Sequence, residues 1–259
     1  MTWTTAAAPR AASPALQVAH PRPGAALTLA CFPYAGGAAS AYREWGAASD
    51  RIEVAAVQLP GREVRIRERP HRTVTAMAAE AAEALAAGPA RPLALFGHSM
   101  GAMVAFEAAR LLEAEHARRV AALVVSGCRA PQLRSPTRTF DLPDEDFERH
   151  LRALGGTPQA VLDSAELMRL MVPLLRADLE AAETYHDATA RTVGAPILAL
   201  CGDADPIVAP EAMAGWRART TSPEPFRVEV LAGGHFFLHD QRAAVLALIH
   251  HRLAGAAGA

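Results

Sequence analysis

RPLALFGHSMGAMVAFEAARLLEAE, residues 91–115, is the stretch that decides the fold. Its first part, RPLALFG (91–97), is a short continuous apolar run, the pattern of a strand buried on both faces. Its last part, AMVAFEAARLLEAE (102–115), combines strong helix formers with helical spacing of apolar side chains. GHSMG (97–101) joins the two, so a strand runs into a helix through G-x-S-x-G. In that context a serine is lifted above the carboxyl edge of a sheet on a sharp, strained turn. Gly97 and Gly101 leave room where side chains would collide with the neighbouring strand and helix. The helix N-terminus behind Ser99 favours negative charge at its side chain and on a substrate. His98 precedes the serine and is read as a structural residue directed elsewhere.

Outward from this unit, short apolar runs alternate with helix-period stretches. ALTLACF (26–32), IEVAAVQL (52–59), VAALVVSG (120–127), APILALCG (195–202) and PFRVEVLAG (225–233) predict strands. TVTAMAAEAAEALAA (73–87) and DQRAAVLALIHHRL (240–253) predict helices, and AYREWGAA (41–48) a short one. Residues 131–190 carry no strand pattern. Two segments there look helical, one of them opened by Asp144, Glu145 and Asp146 and closed by Gly155-Gly156. The fold class is therefore α/β, a mostly parallel central sheet with helices on both faces. The helical block 131–190 is expected to be a lid over the carboxyl edge, where open α/β sheets bind ligands. One domain, 26–259, follows an N-terminal extension, 1–25, that Pro9, Pro14, Pro21 and Pro23 interrupt and that is expected to be disordered. The C-terminal LAGAAGA is expected to fray.

Composition narrows the function. Of the 259 residues 51% are hydrophobic and 20% charged, which excludes a disordered chain. The formal net charge of -1 lacks the footprint of a nucleic-acid binder. No apolar run approaches the roughly 18 residues that a membrane span needs, and the leader has no signal-peptide core. All 26 basic residues are arginine, which removes Schiff-base and P-loop lysine chemistry. The three cysteines, Cys31, Cys128 and Cys201, sit in apolar runs, match no zinc spacing and read as buried thiols of a reducing compartment. A cytoplasmic monomer without metal or cofactor is expected.

A serine hydroxyl needs a base to take its proton. The chain order for this elbow is serine, then Asp or Glu, then His. GDADPIV (202–208) and GGHFFL (233–238) each follow a predicted strand and so reach the same edge as Ser99. Asp205 is the chosen acid, with Asp203 the alternative that caps the turn; His235 is the chosen base among ten histidines. An oxyanion hole needs two backbone N–H donors. Met100, directly after the serine, supplies one, and Ala35 in FPYAGG (32–37) the other, while Gly36 and Gly37 permit the turn.

These stretches resemble the type II thioesterases of modular polyketide and non-ribosomal peptide synthesis, which are α/β-hydrolases. The likeness covers nearly the whole chain after the leader. It is carried in order by FPYAGG, VQLPGREVR (57–65), FGHSMGA (96–102), SGCRAP (126–131), DEDFERHLRALGGTP (144–158), PLLRADLEAAETY (173–185), GDADPIV and GGHFFL. The resemblance implies hydrolysis of aberrant or stalled acyl thioesters from the phosphopantetheine arm of an acyl or peptidyl carrier protein. It gives Ser99, Asp205 and His235 the triad roles and Ala35 and Met100 the oxyanion roles. The segment GREVRIRERPH (61–71) is either a solvated loop or a docking surface for an acidic carrier through Arg65 and Arg67. Leu167, Met168, Leu170, Met171 and Leu174 are expected in the lid core, some of them lining an acyl tunnel. Competing readings are an esterase or peroxidase of the same fold, an acyltransferase, and a non-catalytic carrier-binding scaffold.

Overall fold

The computed structural model describes residues 13–48 and 51–256. Its strands are β1 (Leu16–Gln17), β2 (Leu27–Phe32), β3 (Ile52–Val57), β4 (Leu93–His98), β5 (Val120–Ser126), β6 (Ile197–Gly202) and β7 (Arg227–Leu231). Its α-helices are α1 (Val74–Ala86), α2 (Met100–Ala114), α3 (Asp144–Leu154), α4 (Gln159–Leu162), α5 (Ala165–Thr184), α6 (Pro210–Met213), α7 (Phe237–Asp240) and α8 (Arg242–Ala256). The strands form one seven-stranded sheet in the order β1-β3-β2-β4-β5-β6-β7. All pairings from β3 to β7 are parallel, and β1 alone runs antiparallel, against β3.

The continuous apolar runs are explained by cover on both sides. Strands β2, β3, β4 and β6 are buried at every position. Alternate residues of β4 serve the two faces, as the two-residue period of a strand requires. Leu93 and Leu95 pack with α1 and α2 in one core cluster. Ala94 and Phe96 pack on the other face, with the 3₁₀ segment Ala39–Ala48 and with α8.

Residues 1–25, expected to be disordered, fall into two parts. Residues 1–12 lie outside the described residues. Residues 13–25 are tied to the sheet: Leu16 and Gln17 pair with Val57 and Ala56, and the Gln58 N–H donates to the Ala15 carbonyl at 2.8 Å. The border of β3 offers unpaired backbone groups, and this segment pairs with its last two residues. The terminal helix expected over 240–253 is α8, and a separate turn, α7, precedes it directly after the loop that carries His235.

Among the described residues the 131–190 block is without strands and holds α3, α4 and α5 between β5 and β6. It has a small apolar centre of its own, with Phe147 and Leu151 of α3 against Met168 and Leu175 of α5. Gly155 ends α3 in the left-handed conformation, at φ 73°, as the sequence predicts.

The tightest packing lies where β4 turns into α2. A Cβ on Gly97 would stand 2.1 Å from the Gly101 carbonyl oxygen, and one on Gly101 would stand 2.2 Å from the Phe32 carbonyl oxygen. Both obstacles are backbone, so no side chain can yield to them. We expect Gly101→Ala to cost about 2–3 kcal/mol, as overpacking does, and to lower Tm by roughly 4–12 °C in calorimetry.

Candidate active site

Ser99 occupies the residue between β4 and α2 with φ 53° and ψ -123°. A non-glycine residue in such a region carries about 1–3 kcal/mol of strain, which the surroundings must hold in place. They do so through the Ser99 N–H, which donates to the Ser126 carbonyl at 2.8 Å, and through the Ala102 N–H, which donates to the Ser99 carbonyl at 2.9 Å.

Asp205 lies in the turn after β6. Its Oδ1 accepts from the N–H groups of Ile207 and Val208 at 2.8 and 3.1 Å, which leaves Oδ2 for His235. His235 Nδ1 donates to that oxygen at 2.8 Å, and His235 Nε2 lies 3.1 Å from Ser99 Oγ. With Nδ1 carrying the proton, Nε2 is the acceptor for the serine hydroxyl. The structure therefore joins the three residues chosen from sequence into one hydrogen-bonded chain. Asp203, the alternative acid, stays outside it. Its Oδ1 accepts from the Gly233 N–H at 2.9 Å and ties the two loops together. Those loops approach so closely that a Cβ on Gly202 would stand 2.3 Å from the Gly233 carbonyl oxygen.

His98 is buried beneath this chain. Its Nδ1 is 2.9 Å from Ser126 Oγ, and its ring centroid is 5.0 Å from that of His235. Burial, reinforced by the neighbouring His235 and His239, holds its pKa well below the ordinary imidazole value. The ring is therefore neutral, as a support beneath a second imidazole must be.

The loop after β2 brings Ala35 to the same place. The Gly36 N–H donates to Asp178 Oδ2 at 2.7 Å, and the Gly37 N–H donates to the Tyr34 carbonyl at 2.8 Å. Among the described residues the N–H groups of Ala35 and Met100 have no backbone acceptor. Met100 is the first residue of α2, where the helix dipole adds to the donor.

Ser99, His235 and Ala35 line a cavity of about 320 Å³. Its apolar wall comes from Leu151 and Leu154 of α3, Leu175 and Leu179 of α5, and Val208 and Phe236. Of the residues expected in the lid core, Met168 and Met171 join it, and none of the five lines the cavity. Leu167 and Leu170 face solvent, and Met168 and Leu174 are buried outside the cavity wall. A cavity of about 430 Å³ beside residues 17–20 and 39–46 holds none of the three reacting groups. Among the described residues no cluster of three or more His, Cys, Asp or Glu is placed to hold a metal ion, and no helix is long and apolar enough to cross a membrane.

Two charged residues went unnoticed in the sequence. Arg62 and Asp178 form a buried bidentate pair behind the Ala35 loop, at 2.8 and 2.9 Å. A signal existed: Asp178 falls on the apolar stripe of α5 marked by Leu174, Leu175 and Ala181, where a carboxylate requires a partner.

Known proteins resemble this chain in sequence and in fold. Residues 27–253 match the thioesterase domain family. The chain is 40% identical over 224 residues to Thioesterase PikA5 of Streptomyces venezuelae, covering 86% of this chain and 79% of that one. It is similar in structure to YbtT, a type II thioesterase from the yersiniabactin NRPS/PKS biosynthetic pathway. The TM-score is 0.84 at 34% identity, over 93% of this chain and 99% of that one. It is also similar to RedJ, a thioesterase from the prodiginine biosynthetic pathway in Streptomyces coelicolor. There the TM-score is 0.80 at 40% identity, over 88% of this chain and 86% of that one.

The neutral state of His98 has a consequence for stability. Its folded pKa is depressed, so below about pH 6.5 the unfolded chain binds a proton that the folded chain refuses. Stability should fall with acidification by up to about 1.4 kcal/mol per pH unit from this ring. Urea unfolding of the wild type and of His98→Asn between pH 7 and 5 checks this. The variant should show the shallower slope.

Proposed function

The chain belongs to the thioesterase family, as a type II thioesterase of polyketide and non-ribosomal peptide pathways with an α/β-hydrolase fold, and from that premise we propose that it hydrolyses acyl groups from the phosphopantetheine arm of a carrier protein through Ser99, His235 and Asp205. The observation that carries this proposal is the continuous chain from Ser99 Oγ to His235 to Asp205, at 3.1 and 2.8 Å, opening on an apolar cavity.

The steps follow from the donors and acceptors present. His235 Nε2 takes the Ser99 hydroxyl proton as Oγ attacks the thioester carbonyl carbon. The negative oxygen of the tetrahedral intermediate is held by the Ala35 and Met100 N–H groups. Collapse breaks the carbon–sulfur bond, and the imidazolium returns its proton to the departing thiolate. The acyl group is then an ester on Ser99. A water, deprotonated by His235, attacks that ester, and Ser99 leaves with its proton restored. Asp205 fixes the ring and stabilises the imidazolium in both halves. No step draws on a cofactor. The acyl chain occupies the cavity between α3 and α5. The free thiols Cys31, Cys128 and Cys201 suit a reducing, cytoplasmic setting.

Carrier docking takes a narrower form than the sequence suggests. Arg65 is buried and committed, donating to Glu68, to Glu80 and to the Gln58 carbonyl. It is therefore not a docking residue. Arg67 is exposed, between the exposed side chains of Ile66 and Glu68, and remains available for an acidic partner.

Ser99→Ala should abolish hydrolysis of an acyl-carrier thioester while circular dichroism and Tm stay near the wild type. Fluorophosphonate labelling should modify the wild type at Ser99 and leave the variant unmodified. Turnover by the variant at the wild-type rate would remove the triad assignment. Separately, Arg67→Glu should raise KM several-fold for carrier-bound substrate and leave KM for a small free thioester unchanged, as expected of a rim charge.

A further inference from the structure

Asp178 stands on α5, in the helical insertion, and its side chain is 0% exposed. A buried ion pair is seldom retained for stability alone, since well-packed apolar residues of similar size often serve as well or better. What this pair holds in place is therefore informative. Asp178 Oδ2 accepts from the Gly36 N–H at 2.7 Å and from Arg62 Nη1 at 2.8 Å, and Oδ1 accepts from Arg62 Nη2 at 2.9 Å. Arg62 Nη1 donates in addition to the Gly37 carbonyl at 3.0 Å. The pair thus holds an N–H and a C=O on adjacent residues of the loop that carries Ala35.

Two further contacts immobilise the same loop. Gly36 has φ 74° and lies against α5 so closely that a Cβ there would stand 2.5 Å from Leu175 Cδ2. Gln58 accepts from the Ala39 N–H at 3.2 Å and donates to the Arg62 carbonyl at 3.0 Å, which joins the far end of the loop to the turn bearing Arg62. Leu175, one turn before Asp178 on the same helix, is also part of the acyl cavity wall. The element that shapes the acyl cavity therefore also grips the peptide next to Ala35.

We propose that Asp178 and Arg62 are positioning residues for hydrolysis: they fix the Ala35–Gly36 peptide, and with it the direction of the Ala35 N–H toward the developing oxyanion, and so couple the helical insertion to transition-state stabilisation. This rests on the assignment of Ala35 and Ser99 given above. Because Asp178 and Arg62 lie behind the loop, they touch neither the acyl group nor the His235–Asp205 pair. Their loss lowers kcat and spares substrate binding and the titration of the base.

The test uses the full-length protein, with an acyl N-acetylcysteamine thioester as substrate and a boronic acid that forms a tetrahedral adduct on Ser99. Asp178→Asn and Arg62→Lys are measured beside the double variant Arg62→Met/Asp178→Leu. The double variant removes both charges together and so keeps the experiment informative should a single change unfold the chain. Each folded variant should lose roughly 10- to 100-fold in kcat, short of the 10²–10³ that follows outright removal of an oxyanion donor. KM should stay within about twofold and the acid limb of the pH–rate profile should not move. Boronate affinity should fall in parallel with kcat. A folded variant, judged by circular dichroism at the assay temperature, whose kcat and boronate affinity stay within threefold of the wild type would overturn the proposal. A wild type whose Ser99 does not react with a fluorophosphonate would instead overturn the underlying assignment, a distinct result.

Discussion

Everything at the carboxyl rim depends on how closely the first turn of α2 approaches the ends of β4 and β2. The Gly101 Cα lies against the Phe32 carbonyl, and the Gly97 Cα against the Gly101 carbonyl. Only at that spacing can the chain reverse within one residue and leave Ser99 at φ 53° above the sheet. The same contact places the loop that begins at Pro33 beside the start of the helix, so the two N–H groups proposed for the oxyanion come from segments already in van der Waals contact. The strain is local, and the sheet beneath, buried on both faces, is rigid enough to sustain it.

The second half of the site is built at the ends of β6 and β7, and its logic is a division of labour between two aspartates. Asp203 accepts from the Gly233 amide and holds one loop to the other. Asp205 spends one oxygen on its own turn and presents the second to His235. Neither can substitute for the other, because one is directed across the junction between loops and the other toward the cavity. Below them, neutral His98 lies tilted beneath His235 and uncharged, so the imidazolium formed during turnover meets no second positive charge.

Much of this was legible in the sequence because its signals are local. Residues 91–115 specify strand, turn and helix around Ser99, and the turns around Asp205 and His235 each follow an apolar strand. The order of the three along the chain then selects one arrangement. The remainder was hidden for a physical reason. Asp178 meets Arg62 across 116 residues of chain, and no periodicity encodes such a partner. Arg65 looked like one of several solvated arginines, whereas its guanidinium turns inward to Glu80 and the Gln58 carbonyl. In the first half of α5, Leu167 to Leu175, the apolar residues occur all round the helix, so spacing there could not distinguish the side facing the cavity from the side facing water. In the leader, prolines suggested a loose tail, but a segment of two residues is enough to pair with a waiting strand.

That two-residue strand has a wider consequence. An open parallel sheet ends in two seams, each a ladder of unused amides to which another copy of the chain could attach. On the β3 side, Leu16 and Gln17 pair with Val57 and Ala56, the last two positions of that ladder. On the β7 side, alternating Arg227 and Glu229 make the seam hydrophilic, although Val230 is exposed beside them. Like a selvedge, Leu16 and Gln17 cover the carboxyl end of the β3 border and shorten the length of strand open to a second copy.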